Sequence, residues 1–517
     1  MSDKKASFQS YIQTNFTTKG DYIVMGNAIL EGESIADTQI KLPLKTLNRH
    51  GMIAGATGTG KTKTLQSIAE SLSLKGIPVL LMDIKGDLSG IAAKGESNPG
   101  IEERQKKIGI PFEPQSFPVE LFSLSKEKGV RLRATVSEFG PVLFSKILGL
   151  NDTQSGIVSL IFKFCDDERL PLLDLEDFKK VIQYITNEGK VRIEKEYGKI
   201  SSASASTILR KIIELEQQGA DLFLGEYSFD VMDLVRTDSD GKGFISIIKL
   251  TDIQDRPKLF STFMLSLLSE IYSTFPEVGD MEKPKLVIFI DEAHLIFNEA
   301  SKVLLDQIET IIKLIRSKGI GIFFCTQNPM DIPPAILGQL GMKVQHALRA
   351  FTAADRKQIK LTAENYPLSD YYDTETLLTS LGIGEAAITI LTEKGTPSPL
   401  AHTLLCAPRS RMNILNESEI DSIIAHSSLL KKYNEEIDRE SAYELLNNKY
   451  KAKETESDDE IEAQVTPVKS VRKEKSTLEE AINSPIAREV GRTLAREITR
   501  GILGVLGIGS TQRRRRR

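Results

Sequence analysis

Eight consecutive residues, Gly55-Ala56-Thr57-Gly58-Thr59-Gly60-Lys61-Thr62, carry the spacing G-x-x-x-x-G-K-[ST]. Glycines at those positions let a backbone curl until successive N–H groups face one anion. A helix starting there adds its partial positive charge. Lys61 is then placed to reach the β- and γ-phosphates of a nucleotide such as ATP, and the Thr62 hydroxyl to ligate Mg²⁺. A carboxylate pair lies far downstream, where the apolar run Ile288-Phe289-Ile290 delivers Asp291 and Glu292. Neighbouring side chains on an extended chain point to opposite sides, so the two carboxylates take different work. Asp291 would hold the metal through water, and Glu292 would orient and deprotonate the attacking water. A lone Asp-Glu is often only a helix cap, and it is the upstream loop that favours the catalytic reading. A polar amide closing the apolar run Gly321-Ile322-Phe323-Phe324-Cys325-Thr326 makes Gln327 a candidate sensor of the γ-phosphate and its water. The letters Asp291-Glu292-Ala293-His294 invite comparison with DEAH-box helicases, but the later motifs do not follow that plan. His294 reads as a packing residue at the start of the next helix.

These groups need strands that end at one sheet edge and helices that begin there. Met52-Ile53-Ala54 leads into the loop, and Leu65, Ile68, Ala69 and Leu72 follow at helical spacing. A second apolar run, 77–82, ends in Asp83-Ile84-Lys85-Gly86-Asp87, and 118–122 reads as another strand. The pattern resumes at 243–250, continues through a helix built on Leu259, Phe263, Leu267 and Ile271, and reaches the carboxylate strand. A helix over 301–318 closes at Lys318-Gly319, strands follow at 320–326 and 343–349, and a last β pair spans 385–391 and 400–406. Continuous apolar strands alternating with helices predict an α/β fold with a mainly parallel sheet covered on both faces. Residues 1–45 read as a short β-like lead-in to a core made of 46–134 and 236–411. Residues 135–235 show helical periodicity and read as an inserted α-helical subdomain. The segment 412–450 looks helical and highly charged, and 451–475 is acidic with little to bury, which predicts a disordered linker.

The phosphate loop, Asp83 closing the second strand, Asp-Glu-Ala, an Arg-x-x-Gly ahead of the sensor strand and Thr-Gln together resemble the HerA/FtsK branch of motor ATPases. Five segments are similar to the bacterial YjgR-type HerA-like proteins: Asn48-Arg49-His50-Gly51, Arg316-Ser317-Lys318-Gly319, Thr326-Gln327-Asn328-Pro329, Val344-Gln345-His346-Ala347-Leu348-Arg349-Ala350-Phe351, and Pro408-Arg409-Ser410-Arg411. The resemblance covers about 20–411. It implies a RecA-like fold, a homo-oligomeric ring (a hexamer) and movement along double-stranded DNA. It also implies that Asp83 sits near the nucleotide and that Arg316 acts with Glu292 across a subunit boundary, stabilising charge on the transferring phosphate. Arg349, Arg409 and Arg411 are weaker candidates of the same kind, and His346 reads as a packed structural histidine. The stretch before the loop is shorter than the full β-barrel of archaeal HerA.

The chain has 517 residues with 40% hydrophobic content and a net charge of −4, so any nucleic-acid surface must be local. Cys165, Cys325 and Cys406 are too few and too far apart for a disulfide framework or a CxxC metal site. No apolar signal core and no long uncharged apolar run occurs, which predicts a cytoplasmic protein. At the far end, 476–517, Ile486, Val490, Leu494, Ile498 and Ile502 recur every four residues. Arg488, Arg492, Arg496 and Arg500 do the same, before the run 513–517 of arginines. Such a basic amphipathic helix suits DNA phosphates, an acidic membrane surface, the acidic linker or a docking role in an oligomer. The expected function is Mg-dependent ATP hydrolysis by a DNA translocase or helicase-like motor. The competing class is a regulatory or signalling ATPase with a protein or membrane client.

Overall fold

The computed structural model describes residues 2–124, 127–253, 256–279, 281–297, 302–435 and 441–447. The proposed linker 451–475 and the basic helix and arginine tail at 476–517 lie outside the described residues. The chain divides into two compact units, Met1–Leu132 with Phe229–Glu435, and Arg133–Ser228 with Glu436–Arg517.

The first unit is built on one sheet of twelve strands. They are β1 (Tyr22–Leu30), β2 (Glu33–Pro43), β3 (Gly51–Ala54), β4 (Val79–Asp83), β5 (Val119–Ser123) and β6 (Val130–Arg131), followed by β7 (Ile245–Lys249), β8 (Leu286–Ile290), β9 (Ile320–Thr326), β10 (Met342–Gln345), β11 (Glu385–Thr389) and β12 (Ala401–Leu405). Their spatial order is β2-β1-β12-β11-β10-β3-β9-β8-β4-β7-β5-β6. Every pairing from β10 to β6 is parallel. The four strands beyond β10 pair antiparallel. The fold is therefore α/β with a mainly parallel, RecA-like sheet.

Strand alternation sends two sets of side chains to two cores. Ile53, Val79, Leu81, Ile245, Ile247, Val287, Phe289, Phe323 and Cys325 pack with Leu65, Ile68, Ala69 and Leu72 of the helix Lys61–Leu74. The neighbouring positions point the other way, where Phe324 meets Phe297 with ring centroids 5.6 Å apart. All residues of β4, β8 and β9 are buried, as expected for strands covered on both faces. The first residues are not simply a β-like lead-in: Ser2–Asn15 is a helix that sets Phe8 and Ile12 into the same core. The β-like part joins the main sheet through the pairing of β1 with β12.

The second unit is helical: Val136–Ile147, Asp152–Glu168, Leu175–Thr186, Lys190–Glu196 and Ser202–Gln217. Asn151 and Asp174 cap two of these helices by accepting the N–H groups of Gln154 and Asp177. Phe144, Phe162 and Phe178 form its aromatic centre. Of the charged stretch after 412, the first unit contains the short helices Glu417–Ala425 and Leu430–Asn434.

Candidate functional site

The loop after β3 is held from three sides. Gly55 N–H donates to Thr326 O at the end of β9, and Ala56 N–H to Ala347 O just past β10. Gly384 N–H, just ahead of β11, donates to Thr59 O at 3.2 Å. Gly55 has φ +150°, and a Cβ there would lie 2.5 Å from the His346 Cβ, so no other residue fits. Thr57 and Gly58 at the tip are exposed, while Lys61 is buried. The Lys61 ammonium donates to Gly55 O at 2.7 Å and Ala56 O at 3.1 Å, curling the loop around itself. Burial and then the nearby Lys85 charge hold its pKa below the ordinary lysine value, while Glu292 and Asp291 oppose them.

Asp291 and Glu292 follow β8 at its carboxyl end, two strands along the sheet from β3. Asp291 Oδ2 is buried and takes no hydrogen bond among the described residues. Burial pushes this carboxyl up to about 7, against the pull of the Lys85 charge. A buried carboxylate oxygen without a partner fits a bound cation, and Thr62 stands in the first turn of the helix that follows the phosphate loop. No cluster of three or more His, Cys, Asp or Glu side chains able to hold a metal alone occurs among the described residues.

Glu292 has φ +46°, a left-handed conformation costly for a side chain of its size and typical of functional positions. One of its oxygens is ion-paired with Lys85, and the other lies 3.2 Å from His294 Nδ1. His294 thus stands against the candidate base, where sequence reasoning saw only a packing residue. Ala293 N–H donates to Cys325 O at 2.9 Å, locking this turn to β9.

Lys85 is the residue sequence reasoning passed over; its one signal was its place in the turn closing β4. Asp83 shapes that turn. Its carboxylate accepts the N–H groups of Gly86, Asp87 and Leu88 at 2.7, 3.2 and 3.1 Å. Burial raises Asp83 to about 6 even so, the three bonds pulling the other way. Gln327 is exposed at the end of β9, in a turn fixed by Thr326 Oγ1 and Asn328 N–H donating to Asp331.

Arg316 is not brought to these residues. It opens a 3-10 turn, Arg316–Lys318, just before β9, at the opposite edge of the sheet from Glu292 and Gln327. The seven residues of β9 separate the two edges by roughly 20 Å. His50 lies on that amino edge too, Nε2 bonded to Ile312 O at 2.8 Å and Nδ1 accepting Ile322 N–H at 3.0 Å. His346 sits under the loop with Nε2 3.0 Å from Thr64 Oγ1. Burial, followed by the Lys61 charge, depresses its pKa to about 4, so it is neutral and structural. Arg349 is exposed beyond β10, and Arg411 is paired with Glu419 at 2.9 Å. Arg409 contributes its backbone N–H to Glu70 at 2.6 Å, in a strap that also sets Ser410 against Gln66.

A glycine-rich loop between a central parallel strand and a helix, with acidic residues ending a nearby strand, defines a P-loop nucleoside triphosphatase of RecA-like fold. The chain belongs to the HerA-like helicase family: the family described as Helicase HerA-like C-terminal matches residues 29–514. A probable helicase of Methanocaldococcus jannaschii is 24% identical over 416 residues, 73% of this chain and 71% of that protein. The DNA double-strand break repair helicase HerA of Sulfurisphaera tokodaii is 24% identical over 372 residues, 68% of this chain. The match spans 64% of that relative, just under two thirds of its length. Among solved structures, the plasmid coupling protein TrwB in complex with the non-hydrolysable ATP analogue ADPNP superposes with a TM-score of 0.50. At 13% identity, covering 78% of this chain and 95% of TrwB, the likeness is one of fold. No helix among the described residues is long and apolar enough to cross a membrane.

Proposed function

We propose that this chain is a Mg-dependent ATPase that assembles as a ring, a hexamer, and moves along double-stranded DNA. The observation that carries the assembly is the split between the two sheet edges. Lys61, Asp291 and Glu292 gather at the carboxyl edge, while Arg316 stands roughly 20 Å away at the amino edge. An arginine so placed cannot serve its own chain's γ-phosphate, but it can serve a neighbour's in a head-to-tail ring. Lys61 and the N–H groups of 55–62 would cradle the phosphates, with Asp83 shaping the turn beside them. Thr62 and Asp291 would hold Mg²⁺, which when bound neutralises charge between the β- and γ-phosphates. Glu292 would take the proton of the attacking water, Gln327 would orient that water, and a neighbour's Arg316 would stabilise the transferring phosphate. The DNA client is supported by the names of the helicase relatives.

The test is ATPase turnover of the size-resolved oligomer with and without double-stranded DNA. Turnover should rise with DNA, and affinity should fall steeply with salt as counterion release requires. A turnover indifferent to every nucleic acid would refute the DNA motor and favour a regulatory ATPase acting on a protein or membrane client.

A further inference from the structure

Two ammonium groups converge beside the phosphate loop. Lys61 reaches in from the helix, and Lys85 from the turn after β4, where it is paired with Glu292. Like charges held close together need an anion beside them: Glu292 supplies it here, and a triphosphate on the loop brings its most charged group to the same place. The two lysines are held very differently. Lys61 is 8% exposed and bonded to two carbonyls of its own loop. The Lys85 side chain is 41% exposed, against 7% for its partner Glu292. The turn that carries it is closed by the N–H groups of Gly86, Asp87 and Leu88 donating to Asp83, so the flexible four-carbon stem can swing while its root stays in place.

We propose that Lys85 is a second γ-phosphate cation, held by Glu292 in this structure and passed to the γ-phosphate when a triphosphate is seated on the loop. This rests on the ATPase reading above. The hand-over ties the two halves of the reaction together. While Lys85 is paired with Glu292, the ammonium occupies the oxygen that would otherwise take the attacking water. Once Lys85 has moved, the vacated oxygen takes the attacking water. A diphosphate offers no γ-phosphate, so Lys85 stays on Glu292 and the base remains engaged.

The test uses the full-length protein with Lys85→Met and Lys85→Gln, each checked by thermal melting for an intact fold. Affinities for a non-hydrolysable ATP analogue and for ADP are read by displacement of a fluorescent nucleotide, alongside kcat. Loss of one charge-assisted bond should weaken the triphosphate by about tenfold and leave ADP within about twofold. The rate should fall about tenfold or more, and Lys85→Arg should restore part of both effects. Equal weakening of ATP and ADP, or a rise in kcat at unchanged ATP affinity, would overturn the assignment, the latter making Lys85 only a brake. A wild-type protein that bound neither nucleotide would instead refute the ATPase reading, and this proposal with it.

Discussion

Replacing His50 by alanine should loosen the junction between the helix that leads to Arg316 and the strand that leads to Gln327. The ring bridges Ile312 O and Ile322 N–H at 2.8 and 3.0 Å, which requires the neutral tautomer with its proton on Nε2. Without it the buried Ile322 N–H loses its partner, and the expected destabilisation is about 3 kcal/mol. The pH dependence gives a sharper number. Burial, with a further contribution from the Arg316 charge, lowers the His50 pKa to about 4, against the pull of the Ile312 carbonyl. The unfolded chain takes up this proton below about 6.5, whereas the folded ring refuses it until about 4. The stability is therefore complete above 6.5 and is lost as pH falls toward 4. The loss at pH 5 comes to about 2 kcal/mol. Urea unfolding followed by circular dichroism at pH 8 and pH 5 measures it. The gap between wild type and variant should narrow by about 2 kcal/mol at the lower pH, and parallel stability curves would refute the reasoning.

Lys61→Ala should weaken nucleotide binding by about a hundredfold, read by fluorescent-nucleotide titration. Glu292→Gln should still bind nucleotide while turnover drops by about a hundredfold or more; normal turnover in that variant would remove Glu292 as the base. Mixed oligomers of Arg316→Ala and Glu292→Gln chains should recover part of the activity that each variant lacks alone, and no recovery in any mixing ratio argues against action between subunits. Gly55→Ala adds a Cβ against His346 at a backbone angle alanine rarely adopts, and should cost about 2–3 kcal/mol by thermal or chemical unfolding.

The parallel sheet was legible because its strands are buried on both faces and so read as unbroken apolar runs, from Val79 to Met82 and from Leu286 to Ile290. The phosphate loop was legible because its chemistry demands glycine at fixed spacing. The first helix was not. Its sequence is polar, and its signal is the short apolar spacing of Phe8, Tyr11 and Ile12, with Phe8 and Ile12 buried. Lys85 was hidden for another reason: its partner Glu292 is distant in the chain, and a lone lysine in a turn has no spacing to betray it. His50 could be noticed in its motif, but its two backbone partners belong to a helix and a strand whose meeting only the fold reveals. The same holds for Arg316, whose role was implied by the family resemblance but whose distance from Glu292 depends on which strand end it occupies.

The strap at 408–412 has a mechanical consequence. Buried Glu70 accepts the N–H groups of Arg409 and Ser410 and the Ser410 hydroxyl, and Gln66 donates to Ser410 Oγ and Arg411 O. Lys63 donates to Met412 O. All three side chains stand on Lys61–Leu74, the helix whose first residue is the phosphate lysine. The strap is therefore tied by side chains to the helix that follows the phosphate loop, so a shift of that helix and a shift of the strap are coupled. A change in the first turn of that helix, where Lys61 and Thr62 stand, therefore has a direct route to the chain that leaves the sheet after β12.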